Sequence, residues 1–450
     1  MERSKSCPYF DLIESFNRPR VCIDNETCDD CTLVKVDSAN KHGILLEMVE
    51  LLTDLDLVIS RSYISSDGVW FMDVFHVTDQ LGNKLTDDSL IRYIQQSLCA
   101  GKGGEAGLTM GVTTCMGRMV GPGHIAAEHA VVEFSGTDRP GLLSEVSALL
   151  SSLDLHVVSA QAWTHRTRAA CVAFVVDRAT GRPVTDRATL AHVEDQLRNV
   201  VGAHQPDPSW RISVAGPAQG RAQPERRLHQ LMEEAEEADE GGDALSVSVE
   251  SCEEKGYSVV NVRSPDRAKL LFDTVCALTD MDYGVFHAAA SSREGIAYQE
   301  YYIRRKDGCT IDTVAQRAKL TRRLVAAVER RVSQGLRLEV ATKDRVGLLS
   351  DVTRALRESG MSISRAEIAM RGERALGVFY VTDASSGGEA DLAAVETVRR
   401  EIGEAVVTVV PGWSWGRPRD FVKVPGSTME EKPRFSLGSL LWSQIGRFVQ

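Results

Sequence analysis

The chain has 450 residues, a hydrophobic fraction of 43% and a net charge of −11. At roughly 150 residues per domain, this length predicts about three domains. The hydrophobic fraction suits packed cores and excludes a disordered chain, while the acidic charge argues against a nucleic-acid binder. Without a signal peptide or a run of about 18 apolar residues, we expect a cytoplasmic protein with no transmembrane segment. Nuclear entry is a further possibility.

The ten cysteines are scattered along the chain, which suits a reducing compartment. One local cluster contains Cys22, Cys28 and Cys31, and it includes a single Cys-x-x-Cys spacing. A structural zinc site needs four ligands, and neither a second cysteine pair nor a histidine pair lies nearby. We therefore predict ordinary reduced thiols, no metal site and no cofactor.

Four similar stretches occur along the chain, at residues 40–47, 136–145, 266–273 and 344–351. Each follows an extended apolar run and opens a segment with apolar residues at helical spacing. Two further strand patterns and a second helical pattern come after each stretch, so that β-α-β-β-α occurs four times. A repeat of this length predicts the architecture of the whole chain.

With a fourth strand, each unit becomes a ferredoxin-like βαββαβ sandwich, an α+β fold with an antiparallel sheet and two helices on one face. Units two and four offer that strand after their second helix, at residues 210–214 and 405–410. Units one and three offer it before their first strand, at residues 20–24 and 245–249. We therefore predict that units one and three are permuted.

These patterns divide the chain into six segments. A linker rich in Pro, Gly and Glu separates the units into two halves of two units each. The predicted segments are unit one at 20–100, unit two at 129–215, an acidic linker at 216–243, unit three at 244–332, unit four at 335–411 and an amphipathic C-terminal tail at 412–450. We interpret the acidic run within the linker as a solvated segment. We interpret the tail as a helix that packs on the rest of the protein or binds a partner.

The repeated turn has the chemistry of an anion site. The leading Asp or Asn is expected to cap the helix N-terminus. Gly43, Gly141 and Gly347 have no Cβ, so another group can approach the backbone. Free N–H groups and the helix dipole favour a carboxylate such as that of an amino acid, and the acid in the first turn could serve an ammonium group. Lys269 replaces this glycine in unit three, either as an anion ligand or as the mark of a non-binding unit.

Residues 137–145 and 343–351 resemble the signature of the ACT domain, a small-molecule regulatory module of amino-acid metabolism. Four such units in series resemble the plant ACT-repeat (ACR) proteins, and Lys269 is similar to what that family shows in its third unit. The resemblance covers roughly residues 20–412. It implies that ACT units pair side by side within the chain and bind free amino acids between a first turn and a strand of the neighbouring unit. Glutamine is one candidate ligand.

We therefore predict an amino-acid-binding regulatory protein with an unidentified protein partner. The predicted ligand-binding residues are Asn40, His42, Gly43, Asp138, Arg139, Gly141, Leu142, Asp266, Lys269, Asp344, Arg345, Gly347 and Leu348. Nucleophile-elbow, phosphate-loop, zinc-protease and dinucleotide motifs are absent, so we expect no catalytic residues. The alternative is an interaction scaffold that binds no small molecule. Arg61 and Arg365, at matching positions of units one and four, either clamp a carboxylate at a pair interface or are exposed or salt-bridged.

Overall fold

The computed structural model describes residues 19–100, 111–115, 119–121, 129–203, 209–217, 223–233, 245–252, 256–332, 335–371, 374–402 and 406–410. The predicted tail at 412–450 lies outside these ranges, as does all of the acidic run 233–240 except Glu233. The described residues form an α+β structure in which antiparallel strands alternate with helices.

The elements up to the linker follow the order that the sequence predicts. The first block contains β1 (Arg20–Asp24), β2 (Thr32–Ala39), α1 (Ile44–Asp54), β3 (Val58–Ser66), β4 (Trp70–Thr78) and α2 (Asp88–Ala100). A small hairpin of β5 (Val112–Thr113) and β6 (Met119–Val120) follows. The second block contains β7 (Ala130–Thr137), α3 (Leu142–Ser152), β8 (Leu155–His165), β9 (Arg168–Asp177), α4 (Arg187–Gly202) and β10 (Arg211–Ala215).

The linker contains one described helix, α5 (Pro224–Glu233). The third block then contains β11 (Ser246–Cys252), β12 (Tyr257–Pro265), α6 (Leu270–Asp280), β13 (Tyr283–Arg293), β14 (Ile296–Arg305) and α7 (Val314–Arg330). The fourth contains β15 (Leu336–Lys343), α8 (Leu348–Glu358), β16 (Met361–Arg371), β17 (Arg374–Asp383), α9 (Leu392–Ile402) and β18 (Val406–Val410).

Local sequence explains these elements. In β2, Val34 and Val36 alternate with half-buried polar residues and are fully or almost fully buried, as expected for a strand with one face on a core. In α3, Leu142, Val146 and Leu150 recur at helical spacing and enter the core. The first helix of every block ends before a residue with positive φ, a common helix C-terminus. These residues are Asp56, Asp154, Asp282 and Gly360.

The strands form two eight-stranded antiparallel sheets. The first sheet has the order β1-β2-β4-β3-β13-β14-β12-β11, and the second has the order β10-β7-β9-β8-β16-β17-β15-β18. The edge strand beside β2 is β1, which precedes it in the chain, and the edge strand beside β12 is likewise the preceding β11. In the second sheet, β10 and β18 take the edge positions after their own helices.

The blocks pair in alternation along the chain. The first sheet joins block one to block three through β3 and β13, and the second joins block two to block four through β8 and β16. The linker lies in the chain between blocks one and two and blocks three and four, and the sheets join blocks from either side of it. Each sheet has its own core, closed by α1, α2, α6 and α7 on the first and by α3, α4, α8 and α9 on the second.

The linker helix α5 lies between the two bodies. Its Leu228, Leu231 and Met232 are buried against Trp163 and Phe174 on the outer face of the second sheet. On its other side α5 packs on α6 and α7 of the first body. This part of the linker is therefore an internal helix rather than a solvated spacer. No helix in the described ranges is long and apolar enough to cross a membrane.

The alternating pairing can be tested by a cysteine cross-link. Arg61 in β3 faces Ser291 in β13 on the outer side of the first sheet. Cβ atoms of facing residues are about 4.5–5.5 Å apart, close to the spacing in a disulfide. We expect the double variant Arg61→Cys, Ser291→Cys to form this disulfide on oxidation, and peptide mass analysis without reduction detects it. Arg61→Cys with Trp163→Cys in β8 is the control, because the register of the second sheet would place Trp163 opposite Arg61 if β3 paired with β8.

Candidate functional site

The four repeated turns have the same backbone conformation. The helices α1, α3, α6 and α8 each begin after a residue in the left-handed region, with φ of 83° at Gly43, 83° at Gly141, 63° at Lys269 and 75° at Gly347. None of these residues provides a side-chain hydrogen bond to the helix start. The expectation that the leading Asp or Asn caps the helix is therefore wrong.

The leading residue instead ties the turn to the rest of its block. Asn40 donates from Nδ2 to Ser66 Oγ at 3.0 Å, and its backbone N–H donates to Val69 O at 2.7 Å. The backbone N–H of Asp138 donates to Thr167 O at 2.7 Å, and that of Asp266 donates to Gly295 O at 2.7 Å. Because no side chain caps these helices, N–H groups of their first turns stay available to an anion.

The acid in the first turn of each helix is held by a cation in the turn itself. The pairs are Lys41–Glu47 at 3.2 Å, Arg139–Glu145 at 2.5 Å, Arg267–Asp273 at 2.7 Å and Arg345–Asp351 at 2.5 Å. The basic residue always precedes the acid by six positions, so each pair clamps the turn onto its helix. The expectation that these acids serve a ligand's ammonium group is therefore not supported by the geometry.

Each of the three glycine turns faces the tenth residue of the first helix in the paired block. A Cβ added at Gly43 would lie 3.9 Å from Cγ2 of Thr279, and one at Gly347 would lie 3.6 Å from Oγ of Ser151. At Gly141 the added Cβ would lie only 2.8 Å from Cδ of Arg357. The space above the turn thus depends on a side chain from another block.

The turn of block four opens into a cleft of about 590 Å³, part of which is open to solvent. Four predicted residues line it, Asp344, Arg345, Gly347 and Leu348. The opposite wall comes from block two and includes Ser147, Ser151 and His156. The cleft therefore belongs to the interface of the two blocks.

The cleft combines polar groups at one end with apolar walls. His156 Nε2 lies 3.3 Å from Asp344 Oδ2, so a side chain of each block meets at its mouth. Ile368, Met370 and Phe379 supply apolar surface. Arg345 lines the cleft but is paired with Asp351, and Leu348 is largely buried in the core. The backbone at the start of α8 thus remains the main anion-binding element.

The turn of block two is more crowded than that of block four, and the turn of block one lies against block three. The aliphatic part of Arg357 lies against Gly141, so the space over Asp138 and Leu142 is partly filled. Asp138 is largely buried, and burial raises the pKa of its carboxyl group. In block one, His42 Nε2 lies 4.0 Å from Asp282 Oδ1 of block three, which places His42 at the block interface.

The turn of block three is closed by the linker helix. Lys269 Nζ donates to Glu225 Oε1 of α5 at 2.5 Å, and Arg331 binds the other oxygen of Glu225 at 2.8 Å. Arg331 also donates to Asp273, which pairs with Arg267 as well. Lys269 therefore binds an anion, but the anion is a carboxylate of the same chain.

This cluster of six charged or titratable residues is called the ionic hub below. Its members are Glu225, His229, Arg267, Lys269, Asp273 and Arg331. Burial alone would raise the pKa of Asp273, but the charges of Arg331 and Arg267 outweigh it and hold that pKa well below its usual range. Burial opposes ionisation of Glu225 too, and Arg331 and Lys269 again keep its pKa low. Both carboxylates are therefore charged at neutral pH.

The ionic hub meets the second sheet where β8 and β16 join. Trp163 and Arg365 face each other there, and the guanidinium of Arg331 lies 4.9 Å from the Trp163 ring centroid. Arg365 donates to Arg331 O at 2.9 Å and pairs with Glu367. Arg365 is thus a salt-bridged residue at the pair interface. Arg61 lies at the matching seam of the first sheet and is exposed.

Comparison with known proteins shows which family the chain belongs to. Residues 27–105 match the model of the ACR family N-terminal ACT domain, and residues 130–202 match the ACT domain model. The chain is 49% identical to the ACT domain-containing protein ACR1 of Arabidopsis thaliana, over 97% of this chain and 95% of that protein. It is 50% identical to Arabidopsis ACR3, over 91% of this chain and 92% of that protein. The chain belongs to the ACR family of ACT domain-containing proteins.

In this ACR protein the sequence pointed to the turns but not to the residues that face them. Ser151, Thr279 and Arg357 were not predicted, although each is the tenth residue of a helix that the repeats define. Aligning the four first helices would have found these positions. Which turn each of these residues faces depends on which units pair, and no single repeat contains information on that pairing.

From the ionic hub we predict that a single substitution, Asp273→Asn, strongly lowers the free energy of unfolding of this ACR protein. Asp273→Asn keeps the shape of the side chain but leaves Arg267 without its buried counter-charge and Arg331 with Glu225 alone. We expect the free energy of unfolding at pH 7 to fall by about 3–5 kcal/mol, measured by urea denaturation. Glu358→Gln is the matched control, because Glu358 is exposed on α8 and should change stability little.

The same variant should also change the response to acid. Asp273 has a lower pKa folded than unfolded, so its stabilisation is complete above the unfolded value of about 3.9 and is lost as the pH falls towards the folded value. We therefore expect the stability of the wild type to fall steeply below about pH 4 and that of Asp273→Asn to fall less steeply. Equal slopes would show that Asp273 does not carry this charge linkage.

Proposed function

We propose that this protein is a non-catalytic regulator that binds a free amino acid in the cleft between unit four and unit two. The observation that carries the proposal is an uncapped helix start, at Gly347, that opens into a cleft lined by residues of both units. Membership in the ACR family supports a regulatory role, since ACT domains are regulatory modules.

The cleft suits the two charged groups of an amino acid. The α-carboxylate would accept hydrogen bonds from the backbone at the start of α8, where the helix dipole favours negative charge. The ammonium group would lie against Asp344, beside His156 of unit two. Ile368, Met370 and Phe379 would then contact the side chain of the ligand. Recognition by both units would make binding sensitive to their pairing.

We further propose that the four blocks are ACT-type ferredoxin-like units and that units one and three carry their fourth strand before the first. The edge positions of β1 and β11 support this interpretation. The proposed unit boundaries are 20–100, 129–215, 244–332 and 335–411, with the linker at 216–243. We also propose that the protein is cytoplasmic and that it exerts its regulatory effect by binding a protein partner.

Ligand binding can be tested by thermal shift and calorimetry with the twenty amino acids and the full-length protein. A ligand at about 100 times its dissociation constant should stabilise the protein by ~2.7 kcal/mol. We expect a shift with at least one amino acid and, by calorimetry, no binding at the turns of units two and three, since the first is crowded and the second is closed. The absence of a shift with every amino acid would contradict the proposal.

A matched pair of variants locates the site. Ser151 and Arg357 occupy the same position of α3 and α8, and they face Gly347 and Gly141 respectively. Ser151→Arg should fill the open cleft and remove the ligand-induced shift. Arg357→Ser changes the equivalent residue at the crowded turn and should leave binding in the open cleft intact. Retained binding in Ser151→Arg would place the ligand elsewhere.

One observation favours the alternative role as an interaction scaffold. The outer face of the first sheet carries Tyr257, His287 and Tyr302, whose ring centroids lie 5.8–6.3 Å apart. Aromatic side chains on a sheet face suit a protein contact. A protein without an amino-acid-induced shift, whose partner binding is lost in Tyr302→Ala but kept in Ser151→Arg, would support the scaffold instead.

A further inference from the structure

The loop between β1 and β2 brings two cysteine thiols together. Cys28 and Cys31 have a Cys-x-x-Cys spacing, and Cys31 Sγ donates to Cys28 Sγ at 3.1 Å. A disulfide requires a separation of about 2.05 Å, so the two sulfur atoms need to approach by only about 1 Å. Both cysteines are free thiols in this structure.

The loop is fixed at both ends. Asp24 accepts hydrogen bonds from the backbone N–H groups of Glu26 and Thr27, at 2.8 and 2.9 Å. At the other end, Thr32 donates to Asn25 Oδ1 at 2.5 Å and accepts from Leu85 N at 2.9 Å. These contacts hold the short loop in one shape, so the proximity of the thiols does not depend on a freely moving segment.

The two thiols have different surroundings. Cys28 is half-buried and reachable from solvent, whereas Cys31 is only 5% exposed. The hydrogen bond from Cys31 lowers the pKa of Cys28, while burial and that same bond raise the pKa of Cys31 to about 12. An accessible thiol with a lowered pKa beside a buried thiol is the arrangement of an attacking and a resolving cysteine.

We propose that Cys28 and Cys31 form a reversible dithiol–disulfide site that is oxidised by hydroperoxides. This site lies in the β1–β2 loop and does not depend on the proposed amino-acid cleft. Its oxidation would add a covalent bond at the edge of the first sheet, where β1 joins β2.

The reaction takes two steps with a hydroperoxide as the oxidant. The Cys28 thiolate attacks the O–O bond, an S–O bond forms, and the leaving alkoxide or hydroxide takes the electron pair and then a proton. Cys31 then loses its proton and attacks the sulfenic sulfur, so that the S–S bond forms, the S–O bond breaks and water leaves. Overall the dithiol loses two electrons and two protons, and the hydroperoxide becomes an alcohol (or water) and one further water. An external thiol reverses the oxidation.

The tryptic peptide of residues 21–35 makes the test direct, since it contains Cys22, Cys28 and Cys31. The reduced full-length protein is treated with hydrogen peroxide and then blocked with N-ethylmaleimide in denaturant, so that the buried Cys31 can react. The protein is digested and the peptides are weighed by mass spectrometry. We expect three labels before oxidation and one afterwards, at Cys22, with two hydrogens lost from the peptide. Dithiothreitol added before blocking should restore all three labels.

Three variants separate this site from general thiol oxidation. Cys22→Ser should leave the pair intact, so that the peptide loses both remaining labels on oxidation. Cys28→Ser should keep its two labels at the peroxide concentration that oxidises the wild type. Cys31→Ser should leave a sulfenic acid on Cys28 that dimedone traps. Three labels retained in oxidised wild type, or loss of the Cys22 label as readily as that of Cys28, would overturn the proposal.

Discussion

The buried carboxylates of Glu225 and Asp273 are the constraint on which the arrangement of the two bodies depends. Removing a carboxylate from water is costly, and only a closely placed cation with good hydrogen bonds compensates for it. Glu225 comes from the linker helix, while Asp273 and Arg331 come from unit three. The linker helix, unit three and the seam of the second sheet therefore have to be assembled together, because each supplies a charge or surface that the others need.

The four turns share one backbone and differ in what lies above them. A left-handed residue starts each helix and a basic residue clamps the first-turn acid, so these features follow from the repeat. The space above each turn does not follow from the repeat, because a side chain of the paired unit determines it. Ser151 leaves the turn of unit four open, whereas Arg357 crowds that of unit two. In unit three, Lys269 donates to Glu225 of the same chain, so this turn makes a structural contact.

Much of the fold was predictable from sequence, because hydrophobic period and turn residues are local. The period-2 and period-3.6 patterns placed the strands and helices within a few residues, and the strand run at 245–249 was found before β12. The order of pairing was not predictable. Every unit has a similar second strand, so any two could join at that edge, and only buried contacts such as those of α5 select one arrangement. A short helix of mixed polar and apolar residues within an acidic segment gives little sign that it will be internal.

The candidate site was also only partly predictable from the sequence. Asp344, Gly347 and Leu348 were identified because the turn motif is local, yet His156 and Ser151 come from another unit. The strand β16 connects this site with the rest of the molecule. Its Ile368 and Met370 line the cleft on one face of the sheet, while Arg365 reaches Arg331 on the other. Because alternate residues of a strand point to opposite faces, a displacement of β16 at the cleft also moves the group that contacts the ionic hub. The strand β16 therefore connects the cleft with the ionic hub, to which the linker helix also contributes.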